Sequence, residues 1–294
     1  MFRALTFDGG GIRGLLSVAI LRRLLDSFPK LIYNTELLVG TSTGSFIALG
    51  LAADAPLDML YMLYLKAGKR VFKRDWRHPF AFMGARYHND SLAEVLRELL
   101  GEKTRLRDLK RRVLIPAFDL QGRRAGGGTS GWRPKFFNSM QPSDMDLLCW
   151  KVALYSSAAP TYFPAVDGYI DGGVVANNPS RAAVSAALSD GVKLDDIRVL
   201  SIGTGETVHR EKNPDYDFGA KDVRTLVDIL IGGSEQVADY QCRNLLAGHY
   251  CRINPLLLEE IELDDVSAVA KLNYIADQVN LSPVGSWLGV NWGL

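Results

Sequence analysis

Three stretches gather residues able to do chemistry. Gly40-Thr41-Ser42-Thr43-Gly44 sets a serine between two glycines, after the apolar LLV and before FIAL. This is the G-x-S-x-G pattern of a nucleophile on a tight strand-to-helix turn, where larger residues two positions either side would collide. A helix beginning at the serine aims its N-terminal N–H groups at negative charge beside the hydroxyl. Asp8-Gly9-Gly10-Gly11-Ile12-Arg13-Gly14 follows a short strand pattern. Successive glycines leave N–H groups exposed to an anion, and a tetrahedral acyl-transfer intermediate is such an anion. The same letters satisfy G-x-G-x-x-G, with Glu36 downstream for a ribose, so this loop alone also fits a nucleotide-binding or regulatory module. Arg13 either supports the anion site or pairs with a structural carboxylate.

A serine nucleophile needs a proton acceptor. A conventional esterase places its histidine after the acid. The four histidines are His78, His88, His209 and His249, and none sits in a glycine-framed loop. His249 and His209 stay open as the base of a Ser-His-Asp arrangement. The third stretch, YIDGGVVANNP, offers Asp171 at the end of a strand, followed by Gly172 and Gly173. A carboxylate within hydrogen-bond reach of the hydroxyl can take the proton directly. The alternative is an Asp-Gly turn with no catalytic role.

Positioning these groups falls to alternating strand and helix signals. RALTF (3–7), TELLVG (35–40), RVLIPAFDL (112–120), GYIDGG (168–173) and IRVLSIGTG (197–205) read as strands. Helical spacing covers 14–28, 45–52, 57–70, 146–158, 222–247 and 267–279. SLAEVLRELLG (91–101) suggests a capping box of Ser91 and Glu94, and NNPSRAAVSAALSDG (177–191) a helix capped by Asn178. Residues 121–134 and 206–221 read as loops. Strands separated by helices argue for an α/β layered fold with a largely parallel sheet.

DGGGIRG, GTSTGS and IDGG, in this order, resemble the patatin-like phospholipases, as do SSAAPTYFPA (156–165) and VLSIGTG (199–205). The resemblance spans about residues 3–205 and implies an α/β/α sandwich with a central, largely parallel sheet. It implies Ser42 as nucleophile and Asp171 as its base, a dyad without histidine. It implies an oxyanion hole in the Gly9–Gly14 loop, chiefly the backbone of Gly10 and Gly11, with Gly9 and Arg13 beside them. Gly14, Gly40, Gly44, Gly172 and Gly173 are then structural members of the motifs. Ser45 departs mildly, standing where many relatives carry glycine. The implied reaction is hydrolysis of acyl esters in phospholipids, lysophospholipids or acylglycerols, with no metal and no cofactor. Beyond about residue 206 nothing matches the family, and 222–294 are expected to form a helical extension packed on the core of a single domain.

Composition sets the bounds. The chain has 294 residues, 47% of them apolar, enough for one large core. A net charge of +1 does not by itself point to a polyanion partner, and no nucleic acid is expected, although the basic stretch below has chemistry that nucleic acid could also use. Cys149, Cys242 and Cys251 are widely spaced and odd in number, as for thiols in a reducing compartment. The N-terminus lacks a signal-peptide pattern, and no apolar run reaches the length of a membrane span. The expectation is a cytoplasmic protein, with signal-independent export and oligomerisation left open. LKAGKRVFKRDWRHPFAF (65–82) interleaves Lys69, Arg70, Lys73 and Arg74 with Phe72 and Trp76. Basic plus aromatic suits peripheral contact with an anionic membrane. The plainer reading is a solvated helix end with its aromatics turned to the core. The tail SWLGVNWGL (286–294) is expected to pack on the body.

Overall fold

The structure is a computed structural model that describes residues 1–73, 84–122, 131–207, 219 and 222–294. In chain order the strands are β1 (Phe2–Phe7), β2 (Leu37–Gly40), β3 (Arg112–Asp119), β4 (Arg133–Asn138), β5 (Tyr169–Asp171), β6 (Ile197–Ile202), β7 (Glu206–Thr207), β8 (Tyr250–Ile253) and β9 (Leu256–Leu257). The helices are α1 (Gly14–Ser27), α2 (Thr43–Ala52), α3 (Leu57–Val71), α4 (Asn89–Leu100), α5 (Cys149–Ser156), α6 (Gly173–Ala176), α7 (Ser180–Ser189), α8 (Val223–Leu246), α9 (Val269–Gln278) and α10 (Ser282–Asn291).

The main sheet runs β4-β3-β2-β1-β6-β8. β1 lies at its centre because nearly every residue of FRALTF is buried, as a strand covered on both faces requires. It pairs in parallel with β2 (Phe7 opposite Gly40) and with β6 (Phe7 opposite Ile202). β2–β3 and β6–β8 are parallel too, and β4 closes one edge antiparallel to β3. Alternate strand residues feed two cores. Leu5, Phe7 and Leu38 join α1, α2, α4 and α5 on one face, while Ala4, Leu37 and Val39 meet Ala183, Val184 and Ala187 of α7 on the other. The result is the expected α/β/α layering around a mostly parallel sheet.

Two features of this topology position chemistry. The chain builds outward from β1 through β2 and β3, then returns to β1's other side with β6. The carboxyl ends of β1, β2 and β6 therefore flank a topological switch point, where open α/β sheets bind ligands. β2 pairs only with residues 112–114 of β3, leaving 117–119 free for antiparallel β5. Asp171, opposite Ala117, is thus carried to a place just past the end of β2.

The helix starting at Asn89 puts Ser91 inside the first turn, so the anticipated capping box is not formed; His88 takes the cap position. Asn178 does accept the Ser180 N–H (3.0 Å), one residue ahead of the cap position at Pro179. β4 was not evident from sequence: Pro134 and Lys135 look like loop residues, but an edge strand exposes one side. The C-terminal tail packs as expected. Trp292 is fully buried, donates to Leu31 O (3.3 Å), and its own carbonyl accepts from Arg3 (3.0 Å).

Candidate active site

Ser42 ends β2 and begins α2 with φ 52° and ψ −122°, a conformation that costs energy for any residue with a Cβ. The turn closes so tightly that a Cβ on Gly40 would lie 2.0 Å from Gly44 O. Neighbours hold the strained turn in place. Ser42 N–H donates to Ser156 Oγ (2.9 Å), which donates to Pro116 O (2.6 Å). Thr41 Oγ1 donates to Ala176 O (2.6 Å), and Ser45 Oγ to Ser42 O (2.6 Å). The serine at position 45 thus braces the elbow.

Asp171 is 4% exposed. Burial pushes its carboxyl up to about 6, against the opposing pull of a hydrogen bond from the Gly173 N–H and of the nearby Ser42 hydroxyl. The Gly173 N–H lies 2.6 Å from Oδ1. Hydroxyl and carboxyl, 129 residues apart in the sequence, face the same cavity, and the hydroxyl is close enough to favour the ionised carboxylate.

The glycine loop follows β1. Its N–H groups divide into spent and free donors. Gly9 N–H donates to Asn177 O (3.1 Å), Ile12 N–H to Leu263 O (2.9 Å) and Arg13 N–H to Gly10 O (3.1 Å). Among the described residues none accepts from the N–H of Gly10 or Gly11. The N–H of Gly9, expected beside the anion donors, is therefore taken up by Asn177 O. Arg13 lines the cavity with a buried Nε that has no hydrogen-bond partner. Burial lowers its pKa, against the opposing charges of Glu235, Asp228 and Glu260.

Gly9, Gly10, Gly11, Ser42, Asp171 and Gly173 line one cavity of about 240 Å³. Its lining includes apolar Phe46, Leu63, Val71, Phe72, Leu92, Val95 and Phe163. It also includes charged Arg13, Glu206, Asp228, Glu235 and Glu260. No histidine is among the described residues lining it. His249 lies in the turn after α8 and His88 caps α4, while His78 and His209 fall outside the described residues. No His, Cys, Asp and Glu group suited to a metal occurs among the described residues. No described helix is long and apolar enough to cross a membrane. Glu36, the ribose candidate, is forked onto Arg3 (2.7 Å), so the nucleotide reading loses its acid.

The basic stretch divides. Lys69 and Lys73 are exposed, whereas Arg70 is held by Glu98 through two bonds of 2.9 and 3.0 Å. Phe72 turns inward onto Tyr87 and Phe163 at ring distances of 5.4 and 6.2 Å. Arg74 and Trp76 lie outside the described residues. Sequence reasoning missed Ser156, Asn177, Thr204, Glu235, Arg252 and Leu263. Asn177 and Thr204 sit inside quoted motifs; Glu235, Arg252 and Leu263 have no local signal, since only folding brings them to the loop.

A family model described as patatin-like phospholipase matches residues 5–184. The protein teg of Priestia megaterium is 30% identical over 99% of each chain. A cGAMP-activated phospholipase of Pseudomonas aeruginosa is 31% identical, covering 95% of this chain and 87% of its own length. The crystal structure of VipD from Legionella pneumophila superposes with a TM-score of 0.44 at 12% identity, covering 94% of this chain and 67% of that one.

Proposed function

The chain belongs to the patatin-like phospholipase family, a family of lipid hydrolases, and on that premise we propose that it cleaves fatty-acyl esters of phospholipids, lysophospholipids or acylglycerols through a Ser42–Asp171 dyad. The observation that carries this reading is the placement of the Ser42 hydroxyl beside the buried Asp171 carboxyl on one partly apolar cavity. Asp171 accepts the hydroxyl proton as Oγ attacks the ester carbonyl carbon. The resulting oxyanion meets the N–H groups of Gly10 and Gly11, with the positive charge of Arg13 in the same cavity. Collapse of the tetrahedral intermediate breaks the ester C–O bond, and the departing alcohol takes the proton back from Asp171. Water then attacks the acyl carbonyl carbon as its proton passes to Asp171; the second tetrahedral intermediate breaks its C–Oγ bond, Ser42 Oγ takes the proton back from Asp171, and fatty acid leaves. The apolar side chains of the lining suit the acyl chain, and the charged ones the polar part of the lipid.

The test incubates wild type, Ser42→Ala, Asp171→Asn and His249→Gln with a fluorophosphonate probe and with a phospholipid panel. Wild type and His249→Gln should label and release fatty acid; Ser42→Ala should do neither. Labelling of Ser42→Ala, or loss of activity in a folded His249→Gln of several orders of magnitude, would refute the dyad.

A further inference from the structure

The strongest side-chain cluster outside the dyad lies beneath the glycine loop and draws on the C-terminal third of the chain. Arg252 of β8 has a side chain only 4% exposed and is shared by three carboxylates, Asp8, Glu235 and, more distantly, Asp239 (3.7 Å). Its Nη2 donates to Asp8 Oδ2 and to Glu235 Oε1, both at 2.6 Å. Asp8 immediately precedes the loop, and Glu235 lies on α8. Asp8 already supplies Arg252 with one counter-charge. Glu235 does more than supply a second. Its Oε2 accepts from Asn177 Nδ2 (2.8 Å), and its Oε1 also accepts from Asn254 Nδ2 (3.2 Å).

Both asparagines lead to Gly9, one to each of the two peptide groups that flank its Cα. Asn177 O takes the Gly9 N–H, and its side-chain oxygen occupies the space beside Gly9 where a Cβ would come within 2.3 Å. The amide's orientation is fixed because its nitrogen must face Glu235 for its oxygen to face Gly9. Asn254 Oδ1 accepts from Gly205 N–H (2.8 Å), next to Thr204, whose Oγ1 donates to Gly9 O (2.8 Å). A trans peptide points its N–H opposite to its C=O, so a bond that fixes Gly9 O also fixes the direction of the Gly10 N–H.

We propose that Glu235, neutralised by Arg252, is a positioning residue that aims the Gly10 N–H at the developing oxyanion through Asn177 on one side and Asn254–Thr204 on the other. The inference rests on the reading of Gly10 and Gly11 as oxyanion donors. It assigns the C-terminal third, which lies beyond the family match at residue 184, a part in catalysis made through the backbone of the glycine loop.

Glu235→Gln is the discriminating variant. A glutamine of the same shape offers one acceptor oxygen where three donors converge, so one contact must face donor to donor. On a soluble ester substrate, kcat should fall at least about tenfold with KM changed by less than about threefold, as for an interaction made only in the transition state. Affinity for a long-chain trifluoromethyl ketone, whose serine adduct carries an oxyanion, should fall in step with kcat. Affinity for the matching methyl ketone should stay at the wild-type value. Glu235→Gln combined with Asn177→Ala should be no worse than the poorer single variant if the two act in series. Thr204→Val, which removes only the hydroxyl on Gly9 O, should give the same kcat and ketone split and serves if Glu235→Gln does not fold. Wild-type kcat in folded variants, equal loss for both ketones, or additive single effects would overturn the proposal. Labelling of Ser42→Ala by fluorophosphonate reports separately on the dyad.

Discussion

Asp171→Asn should destroy activity and yet stabilise the protein, and the size of the gain follows from burial. In the fold the Asp171 carboxyl is shifted from 3.8 to about 6, with desolvation the leading cause. Below the unfolded value both states hold the proton, and ionisation costs nothing. Between the two values the unfolded chain ionises first, so native stability falls as pH rises. Above about 6 the penalty is complete, about 3 kcal/mol at about 1.4 kcal/mol per pH unit. At 4% exposure solvent screens little of it. Asparagine carries no such charge, keeps an oxygen for the Gly173 N–H and turns its amide to Ser42. At pH 8 the variant should melt about 5 °C above wild type, taking an unfolding entropy of about 2.1 cal/mol/K per residue. At pH 4 the gain should shrink below about 1 kcal/mol. Calorimetry at the two pH values, beside wild-type kcat/KM from pH 4 to 8, makes the check. Activity should fall about tenfold per unit below about pH 6, because the base must be ionised. A melting difference that does not change with pH, or an activity plateau reaching down to pH 4, would refute the argument from burial.

Gly40→Ala should lower stability by about 1–3 kcal/mol and slow fluorophosphonate labelling, because the new methyl meets the backbone oxygen of Gly44 and no side chain can yield; thermal melts and labelling rates measure both. Val95→Trp, filling the cavity beside its apolar lining, should reduce kcat/KM for palmitoyl esters about tenfold relative to butyryl esters, read from a chain-length series. Lys69→Glu with Lys73→Glu should weaken cosedimentation with anionic vesicles by about 1 kcal/mol per residue, and unchanged binding by a folded variant would remove the membrane role. Arg70, held by Glu98, should contribute less than either lysine in the same assay.

The sequence by itself determined the local chemistry. Gly40 and Gly44 announce a turn too tight for side chains, the glycines after Asp8 announce unpaired amides, and the apolar runs of β1 and β6 announce a sheet covered on both faces. These are short-range facts, written in neighbouring residues. Helix starts were less legible: Ser91 and Glu94 fit a capping box, yet the chain begins that helix at Asn89. β4 was hidden because an edge strand needs only half its side chains apolar. Only tertiary structure decided which N–H groups of the glycine loop stay free, since Asn177 and Leu263 reach Gly9 and Ile12 from distant segments. It also decided the environment of Asp171, whose raised pKa comes from packing around β5 rather than from its Gly-Gly neighbours. Hydrogen-bond partners separated by more than a hundred residues leave no spacing to read, and desolvation is a property of what surrounds a group in space. The Arg252–Glu235–Asn177 chain beneath the loop belongs wholly to that second category.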